Sequence, residues 1–159
     1  MKIRVGQGYD VHQLIDGRPL IIGGVQVASD KGALGHSDAD VLIHAIMDAM
    51  LGAAGLNDIG YYFPNTDKTY QGISSKKLLA MVAGLIFDKG FKIGNIDSTV
   101  CLQSPVVGPY INGMKEAISG ILNIETDQIS IKATTGEKIG FVGRQEGIAA
   151  MAVVLLWQE

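Results

Sequence analysis

Ser37-Asp38-Ala39-Asp40-Val41-Leu42-Ile43-His44-Ala45-Ile46-Met47-Asp48-Ala49-Met50-Leu51-Gly52-Ala53-Ala54-Gly55-Leu56 is the stretch from which the fold is read. Val41, Leu42, Ala45, Ile46, Ala49 and Met50 recur with a 3.6-residue period, which predicts a helix from about Asp38 to Leu56 with Ser37 or Asp38 as its N-cap. A second helix is predicted to start near Ser74 or Ser75 and to turn Leu78, Leu79, Val82, Leu85 and Ile86 inward, with Gly90 just past its end. A third begins near Pro109 and carries Ile111, Met114, Ile118 and Leu122. Between them, Ile3–Tyr9, Leu20–Val27, Ile96–Leu102, Ile129–Ala133 and Ile148–Trp157 have the Val- and Ile-rich character of strands. No low-complexity linker or internal repeat divides the chain. The expectation is one α+β domain over residues 1–159, an α/β sandwich with helices packed on a sheet.

Composition adds a constraint. Charged residues make up 18% of the 159 residues where about 25% is usual, while hydrophobic residues reach 47%. So apolar a surface hints at self-association. A net charge of −3 and the lack of a basic stripe exclude a dedicated nucleic-acid binder. Any phosphate must therefore be held by backbone amides, hydroxyls or metals. The single cysteine, Cys101, excludes an internal disulfide and a multi-cysteine zinc site, and is expected to be a buried structural thiol. The longest apolar run, Ala149 to Trp157, is about half of the ~20 residues a membrane span needs. A soluble, cytoplasmic protein is expected.

Two of the three histidines lie in a pattern suited to a metal. Asp10 and His12 are two residues apart, so an extended backbone points both to one face and Val11 to the other, expected to be the core. His44, on the first helix, has Asp40 and Asp48 at i−4 and i+4, a polar stripe opposite the apolar face. Two imidazoles and a carboxylate make a three-ligand site with an open position, as catalytic zinc requires. The plain alternative is a loop histidine and an exposed helical one paired with Asp40 or Asp48. If His44 is a ligand, those two aspartates are candidates to receive its other N–H. The same ligand set occurs in non-haem iron oxygenases, but the helices argue against their all-β roll.

Three further segments carry polar chemistry. His36-Ser37-Asp38 falls where a helix N-terminus would hold an anion, or serves as a plain cap. Lys132-Ala133-Thr134-Thr135-Gly136-Glu137-Lys138 offers hydroxyls, amides and a carboxylate that suit a phosphate and its divalent ion, or forms an ordinary turn. Asn57-Asp58-Ile59-Gly60 and Phe63-Pro64-Asn65-Thr66-Asp67 form a long polar loop able to accept hydrogen bonds from a polyol. Neither a P-loop nor a dinucleotide fingerprint is present.

Taken together, Gly8-Tyr9-Asp10-Val11-His12, Ile22-Gly23-Gly24-Val25, His36 to Ala45, Leu51 to Gly60, Lys132 to Lys138 and Gly140-Phe141-Val142-Gly143-Arg144 closely resemble the 2-C-methyl-D-erythritol 2,4-cyclodiphosphate synthase family, in order and spacing. The resemblance implies a mixed sheet with helices on one face, the sheets facing the axis of a homotrimer, and active sites between subunits. It implies a CMP-releasing cyclisation of 4-diphosphocytidyl-2-C-methyl-D-erythritol 2-phosphate in the non-mevalonate route to isoprenoid precursors. Carried over by motif, Asp10, His12 and His44 bind Zn2+, and Glu137 serves a second ion, Mg2+ or Mn2+. His36 and Thr135 match the residues assigned to transition-state stabilisation. Asp10, His12, His36, Ser37, Asp58, Ile59, Gly60 and the loop Phe63, Pro64, Asn65, Thr66, Asp67 match erythritol and phosphate contacts. Leu102, Gln103, Ser104, Pro105, Val106, Val107 and Gly108, with Ala133, Thr134 and Thr135, would form a cytidine pocket on the neighbouring subunit, with Gly136 and Glu137 completing the substrate contacts. Phe141, Arg144 and Glu146 match positions at the trimer axis, where some members hold an isoprenoid diphosphate; an Arg144–Glu146 ion pair without a ligand is the alternative.

Three positions depart from the family pattern: Asn65 where Asp is frequent, Val106 where Lys is frequent, and Gly136 where Thr or Asn is common and only the amide is needed. A zinc-dependent phosphohydrolase would use the same triad but release inorganic phosphate, and a trimer without catalysis would not need these polar residues. Of the 21 glycines, Gly8, Gly35, Gly60, Gly108 and Gly136 are expected to let backbone approach phosphate or nucleotide, and Gly52 and Gly84 to serve packing.

Overall fold

The computed structural model describes residues 1–159. Strand β1 runs from Lys2 to Asp16, β2 from Leu20 to Ile22, β3 from Val25 to Val27 and β4 from Lys31 to Ala33. Helix α1 (Val41–Ala53) and a short α2 (Ile59–Tyr62) follow, then α3 (Ser75–Asp88), β5 (Lys92–Cys101), α4 (Ile111–Leu122), β6 (Ile129–Thr134), a short α5 (Gly140–Gly143) and β7 (Gly147–Gln158). The main sheet has the order β4-β1-β7-β5-β6, antiparallel except for the parallel β5–β6 pair, which α4 connects as a crossover. It is a mixed sheet with helices packed on it, as the family resemblance implies.

Several boundaries differ from the sequence reading, each for a local reason. The strand expected over Leu20–Val27 is a hairpin, because Gly23 and Gly24 both take positive φ (59° and 77°) and form a two-residue turn between Ile22 and Val25. β1 continues past Tyr9 to Asp16 by pairing with β7 along its length, from Lys2↔Gln158 to Gln13↔Gly147. α1 starts at Val41 rather than Asp38: Ala39 has φ +57°, and Asp40 is the N-cap, its Oδ1 accepting from the Ile43 N–H at 3.1 Å. Cys101, at the end of β5, is half-buried rather than buried, and burial pushes its thiol pKa up.

α1 is enclosed on nearly every side, with Leu42, Ile43, Ile46, Met47, Met50 and Leu51 fully buried. Asp40 at 0% exposure and His44 at 7% therefore lie inside the protein, not on the solvated stripe expected opposite the apolar face. Val11, expected in the core, is 45% exposed. Gly6, Gly8, Asp10, His12 and Leu14 of β1 face the helix layer, whereas Val5, Tyr9 and Val11 project from the opposite, uncovered face of the sheet beside Met151 and Val153 of β7.

Glycine is required where α1 crosses β1. A Cβ on Gly8 would stand 1.9 Å from the Ala45 carbonyl oxygen, and one on Gly6 the same distance from that of Ala49. The reason for Gly8 is thus helix–strand contact rather than approach to phosphate. Gly52 and Gly84 have open space where a Cβ would go, so packing does not explain them. Gly8→Ala is expected to cost about 3 kcal/mol or more in urea unfolding, through overpacking of backbone against backbone. Gly52→Ala in exposed helix should instead gain roughly 0.5–1 kcal/mol.

Candidate metal centre and active site

β1 and α1 bring Asp10, His12 and His44 together. Asp10 Oδ2 lies 2.8 Å from His12 Nε2 and 3.0 Å from His44 Nδ1, and the two ring nitrogens are 3.1 Å apart. The other nitrogen of each ring points outward: His12 Nδ1 donates to the Leu34 carbonyl at 2.9 Å, and His44 Nε2 meets the hydroxyls of Ser75 at 3.0 Å and Ser37 at 3.2 Å. With Nδ1–H spent on a carbonyl, His12 in its neutral form presents a lone pair on Nε2. A carboxylate oxygen and two imidazole nitrogens at this separation repel one another unless a cation or a shared proton sits among them. Ligands about 2.0–2.1 Å from a tetrahedral metal stand roughly 3.3 Å apart, so this donor set fits a divalent ion after slight expansion.

The charges agree with that reading. Burial works against ionised Asp10, but the two imidazoles that face it, His12 and His44, overcome it and lower its pKa to about 2. Burial also opposes charge on His12, yet the Asp10 carboxylate and the Leu34 carbonyl raise its pKa above the ordinary 6.5. A metal entering the triad must therefore displace a proton from His12.

Neither helical aspartate receives the His44 side-chain N–H. Asp40 accepts backbone N–H groups from Gly23 at 2.9 Å, Gly24 at 2.6 Å and Ile43 at 3.1 Å, tying the β2–β3 turn to the start of α1; burial nevertheless pushes it up to about 6. Asp48 accepts from the Ile59 N–H at 2.8 Å. The start of α1 is closed by Asp40, so His36-Ser37-Asp38 does not form a helix-terminal anion site. From the preceding loop, Ser37 Oγ instead reaches His44 Nε2 at 3.2 Å, and His36 lines the cavity beside the triad.

The triad opens into a cavity of about 370 Å³, also lined by Leu34, Gly35, His36, Ser37, Ile59, Gly60, Phe63, Asn65, Tyr70 and Leu78. Of the expected erythritol and phosphate contacts, Asp58 spends Oδ1 capping α2 through the Tyr61 N–H at 2.9 Å, and Asp67 caps the next turn through the Thr69 N–H at 2.9 Å. Pro64 and Thr66 likewise lie off the cavity wall. His36 Nε2 is 3.4 Å from the Asp67 carbonyl, joining the two loops. Leu34 was not foreseen as part of the site, because its carbonyl leaves no trace in side-chain pattern; Tyr70, Leu78 and Ser75 fall in segments read as loop or helix packing.

A second cavity, of about 320 Å³, is lined by Leu102, Gln103, Pro105, Val106, Val107, Gly108, Ala133, Thr134 and Thr135, most of the expected cytidine segment. Ser104 faces another depression beside Lys31. Gln103 Oε1 accepts the amides of Gly136 at 3.2 Å and Lys138 at 3.3 Å, so the Gly136 amide is used internally and not free for substrate. Thr135 Oγ1 donates to Glu137 Oε1 at 2.9 Å. Phe141 lies in α5, and just beyond it Arg144 forms a two-pronged pair with Glu146 at 2.9 and 3.1 Å.

The chain does not unite the two cavities. Val11 pairs with Ala149, Ala149 with Cys101, and Cys101 with Thr134, so Thr134 sits three strands from the metal-bearing segment, about 14 Å at normal strand spacing. Thr135, on the wall of the second cavity, and Glu137, hydrogen-bonded to it, thus lie away from the triad.

The YgbB family model matches residues 3–157. A protein of Clostridioides difficile (strain 630) named 2-C-methyl-D-erythritol 2,4-cyclodiphosphate synthase is 58% identical over 154 residues, 97% of this chain and 96% of that protein. One of the same name from Thermosynechococcus vestitus is 56% identical over 98% of this chain and 97% of its own. Among solved structures, IspF of Plasmodium falciparum in complex with CDP superposes with a TM-score of 0.86 at 37% identity, covering 99% of this chain and 97% of that one. The bifunctional IspDF of Campylobacter jejuni superposes with a TM-score of 0.94 at 42% identity over 98% of this chain, which corresponds to 42% of the larger protein.

Binding of a divalent metal such as Zn2+ should weaken as pH falls through neutrality, since His12 holds its proton to a higher pH than a free imidazole does. Competition with a chelator at pH 8 and pH 6 checks this; equal affinities would contradict the proton displacement.

Proposed function

The chain belongs to the YgbB family, and from that membership we infer that it converts 4-diphosphocytidyl-2-C-methyl-D-erythritol 2-phosphate to 2-C-methyl-D-erythritol 2,4-cyclodiphosphate and CMP. An oxygen of the substrate's own 2-phosphate forms a bond to the β-phosphorus, the bond from that phosphorus to the bridging oxygen breaks, and CMP departs with the bridging oxygen and its electron pair. In reaction class this is a phosphorus–oxygen lyase. The observation that carries the reading is the convergence of Asp10, His12 and His44 at the wall of a cavity shared with His36 and Ser37.

A phosphate monoester has a second pKa of about 6, so the nucleophile is already an anion near neutrality and needs no strong general base. The enzyme's task is placement and charge neutralisation. Zn2+ held by Asp10, His12 and His44, with Mg2+ or Mn2+ at Glu137, would supply Lewis-acid neutralisation of phosphoryl oxygens. His36 and Ser37 offer an imidazole and a hydroxyl on the cavity wall, where they can orient the phosphate. Leu102, Val107 and Ala133 line the other cavity with apolar surface suited to a pyrimidine ring, and Thr135 places its hydroxyl beside Glu137 at that rim.

A homotrimer reconciles the two half-sites. The separation of about 14 Å within one chain is too long for one diphosphate to be clamped by both, so a neighbouring copy supplies Thr135 and Glu137 to the metal centre. The uncovered sheet face supports this assembly: Val5 at 65%, Tyr9 at 52% and Met151 at 41% exposure form an apolar surface that a monomer would leave in water. An isoprenoid diphosphate at the axis would meet Arg144 already paired with Glu146, and would have to displace that carboxylate. No helix is long and apolar enough to cross a membrane.

Incubation with the diphosphocytidyl substrate should yield CMP and the cyclic diphosphate by mass spectrometry, and a chelator should stop the reaction. Inorganic phosphate in place of CMP would instead identify a phosphohydrolase. His44→Ala should lower kcat by at least about 100-fold with the fold retained by circular dichroism. Sedimentation should give three times the 16.9 kDa mass of one chain.

A further inference from the structure

We propose that Ser75 and Asp38 are positioning residues for the metal centre: together they hold His44 in the tautomer that leaves Nδ1 free to bind the metal. The inference rests on Asp10, His12 and His44 being metal ligands, and not on which phosphate reaction follows.

Ser75 is fully buried at the first residue of α3. Its backbone N–H donates to Asp38 Oδ2 at 2.8 Å, and its hydroxyl makes a close hydrogen bond to Asp38 Oδ1. The Asp38 backbone N–H in turn donates to the Ile73 carbonyl at 3.1 Å, which fixes the two segments against each other. On its other side the Ser75 oxygen is 3.0 Å from His44 Nε2.

The direction of each proton follows from this inventory. Both oxygens of Asp38 face obligate donors, Oδ2 the Ser75 N–H and Oδ1 the Asp40 N–H at 3.3 Å, so the carboxylate acts only as an acceptor. A serine hydroxyl has one proton. Spent on Asp38, it leaves only lone pairs toward His44, and Nε2 must be the nitrogen that carries hydrogen. Ser37 Oγ, 3.2 Å from the same nitrogen, accepts from the Ala39 N–H and can share this donor without opposing it. His44 Nδ1 therefore presents its lone pair to Asp10 and His12. Asp38 thus acts on the metal site through one hydroxyl and one ring, without touching the metal.

Asp38→Asn separates this role from simple packing. The Ser75 N–H at 2.8 Å is the closer of the two backbone donors, so the amide oxygen takes the Oδ2 position, the longer 3.3 Å contact from the Asp40 N–H is given up, and the NH2 group then faces the Ser75 oxygen. The hydroxyl proton is driven round toward His44 Nε2, and the ring is pushed to its Nδ1–H tautomer with almost no change in shape. Ser75→Ala removes the acceptor altogether, and Ser75→Thr restores a hydroxyl.

The test uses metal-free protein and Zn2+ alone, with affinity read by chelator competition and the His44 tautomer by long-range 1H–15N correlation. Wild type should show hydrogen on Nε2. Asp38→Asn should move it to Nδ1, and both Asp38→Asn and Ser75→Ala should bind Zn2+ roughly 10–100-fold more weakly while circular dichroism stays unchanged. Ser75→Thr should recover most of the affinity. Zinc affinity within about twofold of wild type in folded Ser75→Ala, or hydrogen on Nδ1 of wild-type His44, would overturn the proposal. If the protein bound no zinc at all, the ligand assignment itself would fall; if it bound zinc as described but formed no cyclic diphosphate, only the reading of the reaction would.

Discussion

Helix α1 lies so close on strand β1 that the carbonyl oxygens of Ala45 and Ala49 occupy the places where side chains at residues 8 and 6 would begin. Backbone meets backbone there, and the next helix-facing residues along the strand, Asp10 and His12, come level with His44. A bulkier strand would lift the helix away, and with it the imidazole that completes the triad. The same approach explains why α1 is apolar over most of its surface: it is sandwiched between the sheet and α3, and only Asp48 and Gly52 near its end reach toward solvent. Asp40 is tolerated in that interior because three backbone N–H groups surround its carboxylate, and in accepting them it fastens the Gly23–Gly24 turn to the helix start.

Around the triad, hydrogen-bond polarity is arranged from the outside in. Leu34 and the serine hydroxyls accept the outward N–H groups of the two rings, which leaves acceptors converging on one point with Asp10. Such a convergence of acceptors favours a cation, and the groups that orient the two rings would stand outside its contact shell. The second cavity is organised separately: Gln103 gathers the amides of Gly136 and Lys138, and Thr135 donates to Glu137. The sheet carries both segments at one end yet three strands apart, the separation that the proposed trimer would close.

Much of this was legible in residue pattern. The periodicity of 41–50, 78–86 and 111–122 identified the three long helices, and the alternation of Asp10-Val11-His12 correctly put the two ligands on one face. Which face was core could not be read, because Val11 is apolar whether it meets a helix or lies on the uncovered face of the sheet. The Gly23–Gly24 pair was a readable turn signal within an apolar run, and reading through it merged two strands. Ser37 and Asp38 had the chemistry of caps, but Asp40 took that place once Ala39 adopted a left-handed conformation. The functions of Asp58 and Asp67 as caps, and of Gln103 as a turn clamp, depend on loop geometry that residue types leave open.

By itself the sequence determined the identity of the reactive groups, the α+β class, and through its motifs the family, since these depend on residue types at short, regular spacings. It also carried the low charge and high apolar content that a sheet face destined for burial requires. Only the tertiary structure decided that Asp10, His12 and His44 converge while Thr135 and Glu137 stand apart, and that Ser75, remote from His44 in the chain, links Asp38 to its ring. Contacts between distant segments turn on how closely the backbones pack and where single protons go, and neither quantity is written in local periodicity.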